Sequence, residues 1–219
     1  MESTLCQPVP DGTQLIETFR FEPGAGFVRL TLHLARMAAS AKALGFPFNP
    51  GDVNHLLDDI GGGCALRCRL TLSSDGSPAL TTAPMPAAKS GPWALGIAKA
   101  RLNAGDPWLG HKSTNRALYD TCRANMPAGV DELLFLNQRG EVCEGTITNV
   151  FVTLRTGETV TPPTSSGLLA GVYRQHALAR GDVGERIVTL ADLHDAQGIY
   201  LVNSLRGRLP ATLLSTVAP

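Results

Sequence analysis

The ten residues Ala83-Pro84-Met85-Pro86-Ala87-Ala88-Lys89-Ser90-Gly91-Pro92 do most to limit what this chain can fold into. Prolines at that density remove backbone donors that a helix interior or a central strand requires, so neither element can run through the stretch. The 219 residues are long for one compact domain and normal for two. The break therefore predicts a small α/β N-terminal domain over 1–88 and a larger α+β domain over 89–219.

On the N-terminal side, Leu15 to Phe21 reads as a strand and Glu22-Pro23-Gly24-Ala25-Gly26 as a turn. Leu30, Leu34, Met37, Ala41 and Leu44 recur at helical spacing before Gly45 and Pro47, which predicts an amphipathic helix with a C-terminal stop. A second helix is expected over Asp52 to Ile60, then a hairpin from Ala65–Leu72 and Pro78–Thr82. Beyond the break, strands are expected at Trp93–Leu102, Glu132–Leu136, Val142–Leu154, around Val160, at Arg186–Leu190 and at Ile199–Val202, with a helix after Lys112 and another over Gly171–Ala179. Strands and helices mix without strict alternation, which favours two α+β domains over a doubly wound sheet.

Nineteen basic residues balance nineteen acidic ones, so no long-range field favours nucleic acid or an anionic membrane, and any anionic ligand needs a local site. The start, Met1-Glu2-Ser3-Thr4-Leu5, lacks the pattern of a signal peptide, and no run has the length of a membrane span, which predicts a cytoplasmic protein. Cys6, Cys64, Cys68, Cys122 and Cys143 are odd in number and irregular in spacing, as reduced thiols are. No histidine pair has metal-ligand spacing, and no metal is expected.

Only four lysines occur, Lys42, Lys89, Lys99 and Lys112. Lys42 lies off the apolar stripe of its helix, Lys89 in the break, and Lys99 where strand alternation can send it to solvent. Lys112 follows Leu109-Gly110-His111 and precedes Ser113-Thr114-Asn115-Arg116, and a buried lysine loses its charge readily and can act as amine and base. Glu144-Gly145-Thr146-Ile147-Thr148-Asn149 places a carboxylate at the start of a strand, and Ser165-Ser166-Gly167-Leu168-Leu169-Ala170-Gly171-Val172 opens a helix. A helix N-terminus with a glycine beside it suits a phosphate.

These three segments, in this order and at these separations, resemble the class IV aminotransferases, the pyridoxal-phosphate enzymes of fold type IV. The resemblance runs from Leu15 to about Pro210 and lacks an Asp-Arg-x-x-x-x-Gly segment ahead of Leu15. It implies a D-amino-acid-aminotransferase-like fold in two α+β domains, the larger carrying the Schiff-base lysine Lys112. It implies that Glu144 pairs with the cofactor's pyridine nitrogen, with Thr148 and Asn149 of the same motif beside it. It places the phosphate on the N–H groups of Val172 and Tyr173, on Arg36 in His33-Leu34-Ala35-Arg36, and on Ser204 in Val202-Asn203-Ser204-Leu205-Arg206-Gly207. Glu17, Thr18 and Arg20 correspond to a family strand that lines the pocket; Leu205 follows the phosphate serine, and Arg67, Arg69 and Arg206 are cations that could take a substrate carboxylate.

Within the family, Leu15-Ile16-Glu17-Thr18-Phe19-Arg20 and Val202-Asn203-Ser204-Leu205-Arg206-Gly207 look most like short proteins resembling aminodeoxychorismate lyase. Such an enzyme releases pyruvate from 4-amino-4-deoxychorismate to give 4-aminobenzoate for folate synthesis. The alternatives are an aminotransferase acting on branched-chain or D-amino acids with 2-oxoglutarate, and a non-catalytic cofactor-binding or interaction protein. The resemblance also implies a homodimer that acts on a small-molecule substrate.

Overall fold

A computed structural model describes residues 8–214. Cys6 and the leader Met1–Leu5 lie outside the described residues. The chain forms two compact units: one runs to Ala87 and includes His111–Asn115, and the other comprises Ala88–Gly110 and the chain from Arg116 onward.

The first unit contains β1 (Gln14–Glu22), β2 (Gly26–Phe27), α1 (Leu30–Leu44), α2 (Pro50–Asp58), β3 (Leu66–Ser73) and β4 (Pro78–Pro84). Its sheet has the order β2-β1-β3-β4, antiparallel throughout. Leu15, Phe19 and Phe21 alternate along β1 and are buried, and α1 packs on that strand through His33, Met37, Ala41 and Leu44. Gly45 ends α1 in the left-handed region, φ 75°, with its N–H bonded to Ala41 O, as the Gly-Pro stop predicted. Helix α2 begins two residues before the expected Asp52, because Asn49 caps it through Gly51 N–H and Pro50 occupies its first turn.

The second unit contains β5 (Trp93–Leu102), α3 (Ala117–Ala124), β6 (Glu132–Asn137), β7 (Val142–Gly145), β8 (Asn149–Thr153), β9 (Thr159–Thr161), α4 (Val172–Ala179), β10 (Gly184–Glu185), α5 (Leu190–His194), β11 (Gly198–Asn203) and β12 (Gly207–Leu213). Its mixed eight-stranded sheet has the order β10-β9-β8-β11-β12-β5-β6-β7. All six residues of β6 are buried: Leu134 and Leu136 join Leu95, Ile97, Val150 and Leu201 in one core, while Leu133 and Phe135 join Ala98 and Leu168 in another, with Tyr119 of α3 packed on it. A strand covered on both faces reads as a continuous apolar run.

Three expectations change. The strand over Val142–Leu154 breaks into β7 and β8, because the backbone N–H groups of Thr146 and Ile147 turn to the buried Glu132 carboxylate. The strand over Arg186–Leu190 is replaced by β10 and by the start of α5, where Thr189 and Asp192 form a reciprocal capping box. Strand β12 has no counterpart among the expected strands, and it contains Pro210, a residue that disfavours central strands. Pro210 lies opposite Tyr200, one residue before the pairing with β5 begins at Ala211.

Candidate active site

In the first unit, Lys112 belongs to the small sheet rather than to the larger domain where the sequence placed it. Ile16 N–H donates to Lys112 O at 2.8 Å, Thr114 N–H donates to Gln14 O at 2.9 Å, and Leu15 bridges Ser113. These bonds add residues 112–114 to the edge of β1. His111 hydrogen-bonds Ser40 of α1 at 3.0 Å, so alternation puts Lys112 on the other side of the sheet, with Ile16 and Thr18.

That other face carries the cations. Thr18 lies opposite Arg69, and Arg20 lies opposite Arg67. Like charges directly across a ladder repel, and Glu22 compensates Arg20 through an ion pair. The Nε of Arg20 is buried with no hydrogen-bond partner among the described residues. Toward α1, Glu17 is 1% exposed, and both its oxygens are engaged by His33 and Arg36. Geometry thus gives Glu17 a different position from the pocket-lining one suggested by its strand.

In the second unit, Glu144 on β7 is buried. Its Oε1 accepts from the Tyr119 hydroxyl at 2.8 Å, and its Oε2 accepts from Leu169 N–H at 3.1 Å and from Asn149 Nδ2 at 3.4 Å. Burial, followed by the Glu144 charge, pushes the Tyr119 phenol far above its ordinary range, so the phenol stays protonated and donates. The loop after Glu144 is wound around Glu132: Thr146 N–H and Oγ1 donate to it at 3.0 and 2.5 Å, Ile147 N–H at 3.3 Å and Thr148 Oγ1 at 3.1 Å. Arg116 and Arg123 bind Thr146 from outside, through its carbonyl and its hydroxyl. A Cβ on Gly145 would come within 2.4 Å of Thr148 Oγ1, so this position admits only glycine without rearrangement. The Thr148 hydroxyl therefore shapes the motif.

Asn149 carries the motif on to α4. Its Nδ2 donates to Leu169 O at 2.9 Å, and its Oδ1 lies 1.9 Å from where a Cβ on Gly171 would be. Gly171 is the N-cap of α4, and Val172 and Tyr173 form the first turn, whose N–H groups point out of the helix. Ser204 is buried in the turn between β11 and β12. That turn is fastened by Arg206 N–H to Asn203 Oδ1 at 2.8 Å and by Asn203 Nδ2 to Ile147 O at 3.4 Å. Leu205 is half-buried, and the Arg206 guanidinium lies 5.6 Å from the Trp93 ring centre.

The second unit thus joins a buried carboxylate to a helix N-terminus and a serine hydroxyl, the donor and acceptor set for a protonated ring nitrogen and a phosphate. The sequence reading missed Tyr119 and Glu132. Their partners lie 25 and 14 to 16 positions away, and no local pattern connects them.

The model of the family described as amino-transferase class IV matches residues 14–214. The chain belongs to that family. A Schizosaccharomyces pombe relative, provisionally named as an aminodeoxychorismate lyase, is 31% identical over 187 residues, 81% of this chain and 80% of the relative. A provisionally named amino-acid aminotransferase of Mesorhizobium loti is 40% identical with a TM-score of 0.88, covering 92% of this chain and 100% of that one. The 4-amino-4-deoxychorismate lyase of Pseudomonas aeruginosa is 26% identical with a TM-score of 0.80, over 94% of this chain and 84% of that one. This class IV aminotransferase is a pyridoxal-phosphate-dependent enzyme, lyase or transaminase. Among the described residues no helix is long and apolar enough to cross a membrane.

Proposed function

We propose that the protein is an aminodeoxychorismate lyase, converting 4-amino-4-deoxychorismate to pyruvate and 4-aminobenzoate, a folate precursor, in the cytoplasm. The observation that carries this reading is the length of the match to the S. pombe relative, four fifths of both chains. The branched-chain aminotransferase relative from Thermotoga maritima matches over only 38% of this chain. The Arg20, Arg67 and Arg69 face supports the reading, since a substrate with two carboxylates asks for more than one cation.

Pyridoxal phosphate, when bound, supplies an electron sink for the charge left at the substrate carbon that bears the amine. Lys112 would hold the cofactor covalently through Nζ; once the substrate's amine displaced it there, the freed Nζ would take the proton from that carbon. Glu144 holds a proton at the ring nitrogen; a carboxylate accepts about four hydrogen bonds, and Tyr119, Leu169 and Asn149 fix its plane. Arg36, Ser204 and the N–H groups of Val172 and Tyr173 bind the phosphate. Thr148 and Asn149 keep Glu144 and α4 in register. Thr18, Arg20, Arg67, Arg69, Leu205 and Arg206 orient the substrate.

The Mesorhizobium loti structure favours a second reading, an aminotransferase using 2-oxoglutarate. One assay separates the two. Purified protein given 4-amino-4-deoxychorismate alone should yield pyruvate and 4-aminobenzoate in equal amounts. No product there, with glutamate formed from 2-oxoglutarate and an L- or D-amino acid, establishes the transaminase.

A further inference from the structure

In the first unit Glu17 and His33 are each only 1% exposed, and the mechanism above gives neither a task. Glu17 occupies a core position on β1 between Leu15 and Phe19. A carboxylate is costly there unless every lone pair that matters is met. Helix α1 meets it: Arg36 Nε donates to Oε1 at 2.8 Å, Arg36 Nη2 donates to Oε2 at 2.6 Å, and His33 Nδ1 lies 2.5 Å from Oε2. Burial pulls His33 below its ordinary value, so the ring is neutral near pH 7 and Nδ1–H is the donor.

We propose that Glu17, braced by His33, is the positioning residue that sets Arg36 as the phosphate anchor of the cofactor; this rests on the Arg36 assignment above. Two parallel bonds from Nε and Nη2 fix a guanidinium plane as a single donor does not. The fork orients the opposite edge, built on Nη1, and stops the long side chain from sampling other rotamers. The counter-charge matters equally, because the Arg36 side chain is only 10% exposed and water does little to support its charge. His33 holds the carboxylate in the plane of the fork, and its ring packs 5.4 Å from that of Phe19. On this account the pair acts on the phosphate and on nothing else in the cofactor.

That restriction makes the proposal testable on the apoprotein without turnover. The dissociation constants of pyridoxal phosphate and of pyridoxal, which carries the same aldehyde and ring without the phosphate, are measured for wild type, Arg36→Gln, Glu17→Gln and His33→Leu. The ratio of the two reads the phosphate site alone. Arg36→Gln should cut the preference for the phosphorylated form about tenfold or more, as loss of a charge-assisted phosphate contact does. Glu17→Gln should reproduce most of that loss, and His33→Leu should give a smaller, few-fold loss. Equal weakening of both ligands by Glu17→Gln, or no weakening, overturns the proposal and leaves Glu17 a structural residue. A ratio unchanged in Arg36→Gln instead overturns the Arg36 assignment. Should Glu17→Gln fail to fold, Glu17→Asp and His33→Leu carry the same test, and a wild-type ratio in both overturns it.

Discussion

Glu144 shows how one side chain is made into a tool by its neighbours. A carboxylate buried on a strand would favour its neutral form if left alone, yet Tyr119, Leu169 and Asn149 all donate to it. Three donors on one carboxylate fix its plane, and the proposed function sets that carboxylate opposite the ring nitrogen of the cofactor. Glu144→Gln keeps the shape and loses the charge; turnover should fall by about two orders of magnitude or more with cofactor still bound, as expected for a group that stabilises developing charge in a closed site. Near-normal turnover would make Glu144 an ordinary strand residue. Tyr119→Phe removes one donor and should cost about 1 kcal/mol of stability and a smaller part of the rate, measured by denaturant melts and steady-state kinetics. A Tyr119→Phe protein indistinguishable from wild type in both would deny the phenol any role.

The elements show why parts of this architecture were legible and others were not. Helix α1 was readable from Leu30, Leu34, Met37, Ala41 and Leu44 because its partners lie within its own turn spacing. Lys112 and Glu144 are singled out by the sequence because each sits in a short contiguous motif; the proposed function gives them their roles. Glu17 carried a signal that local reading can use: a charged residue on the apolar face of β1 needs a partner, and His33 and Arg36 lie on one face of the next helix. Glu132 carried none, since its partners Thr146 and Thr148 become neighbours only when β6 and β7 pair. The approach of β8 to the start of α4 is tight enough to test: Gly171→Ala would drive a Cβ into Asn149 Oδ1, and overpacking of that kind should cost roughly 1–3 kcal/mol and displace the first turn of α4. A Gly171→Ala protein with wild-type stability would contradict the close approach. Glu141 offers a pH test in the same unit. Arg139, Asn137 and Ser166 hold its carboxyl at about 2. A depressed carboxylate stabilises the fold above its ordinary range and loses that contribution as pH falls toward about 2. Melting temperature should therefore drop less steeply through that acid window in Glu141→Gln than in wild type; identical slopes would remove Glu141 from the account.

At the scale of the whole molecule, the chain distributes its chemistry over two units, with Lys112 on the edge of the first sheet and Glu144 in the second. The break at residues 83–92 contains the point, after Ala87, where the first unit's long run ends. What it did not announce is that residues 111–115 return to the first, since the pairing of Ile16 with Lys112 spans most of a hundred positions and leaves no local trace. We also propose a homodimer, as the family resemblance implies, with an interface above roughly 1,000 Å²; sedimentation equilibrium at micromolar concentration should give twice the chain mass, and a fully active monomer would refute it. The central claim is that Lys112 is the amine that carries the cofactor. Reduction of the cofactor-loaded protein with borohydride, followed by peptide mapping, tests it most directly: the pyridoxyl label should fall on Lys112, and label on Lys42, Lys89 or Lys99 instead would contradict the account.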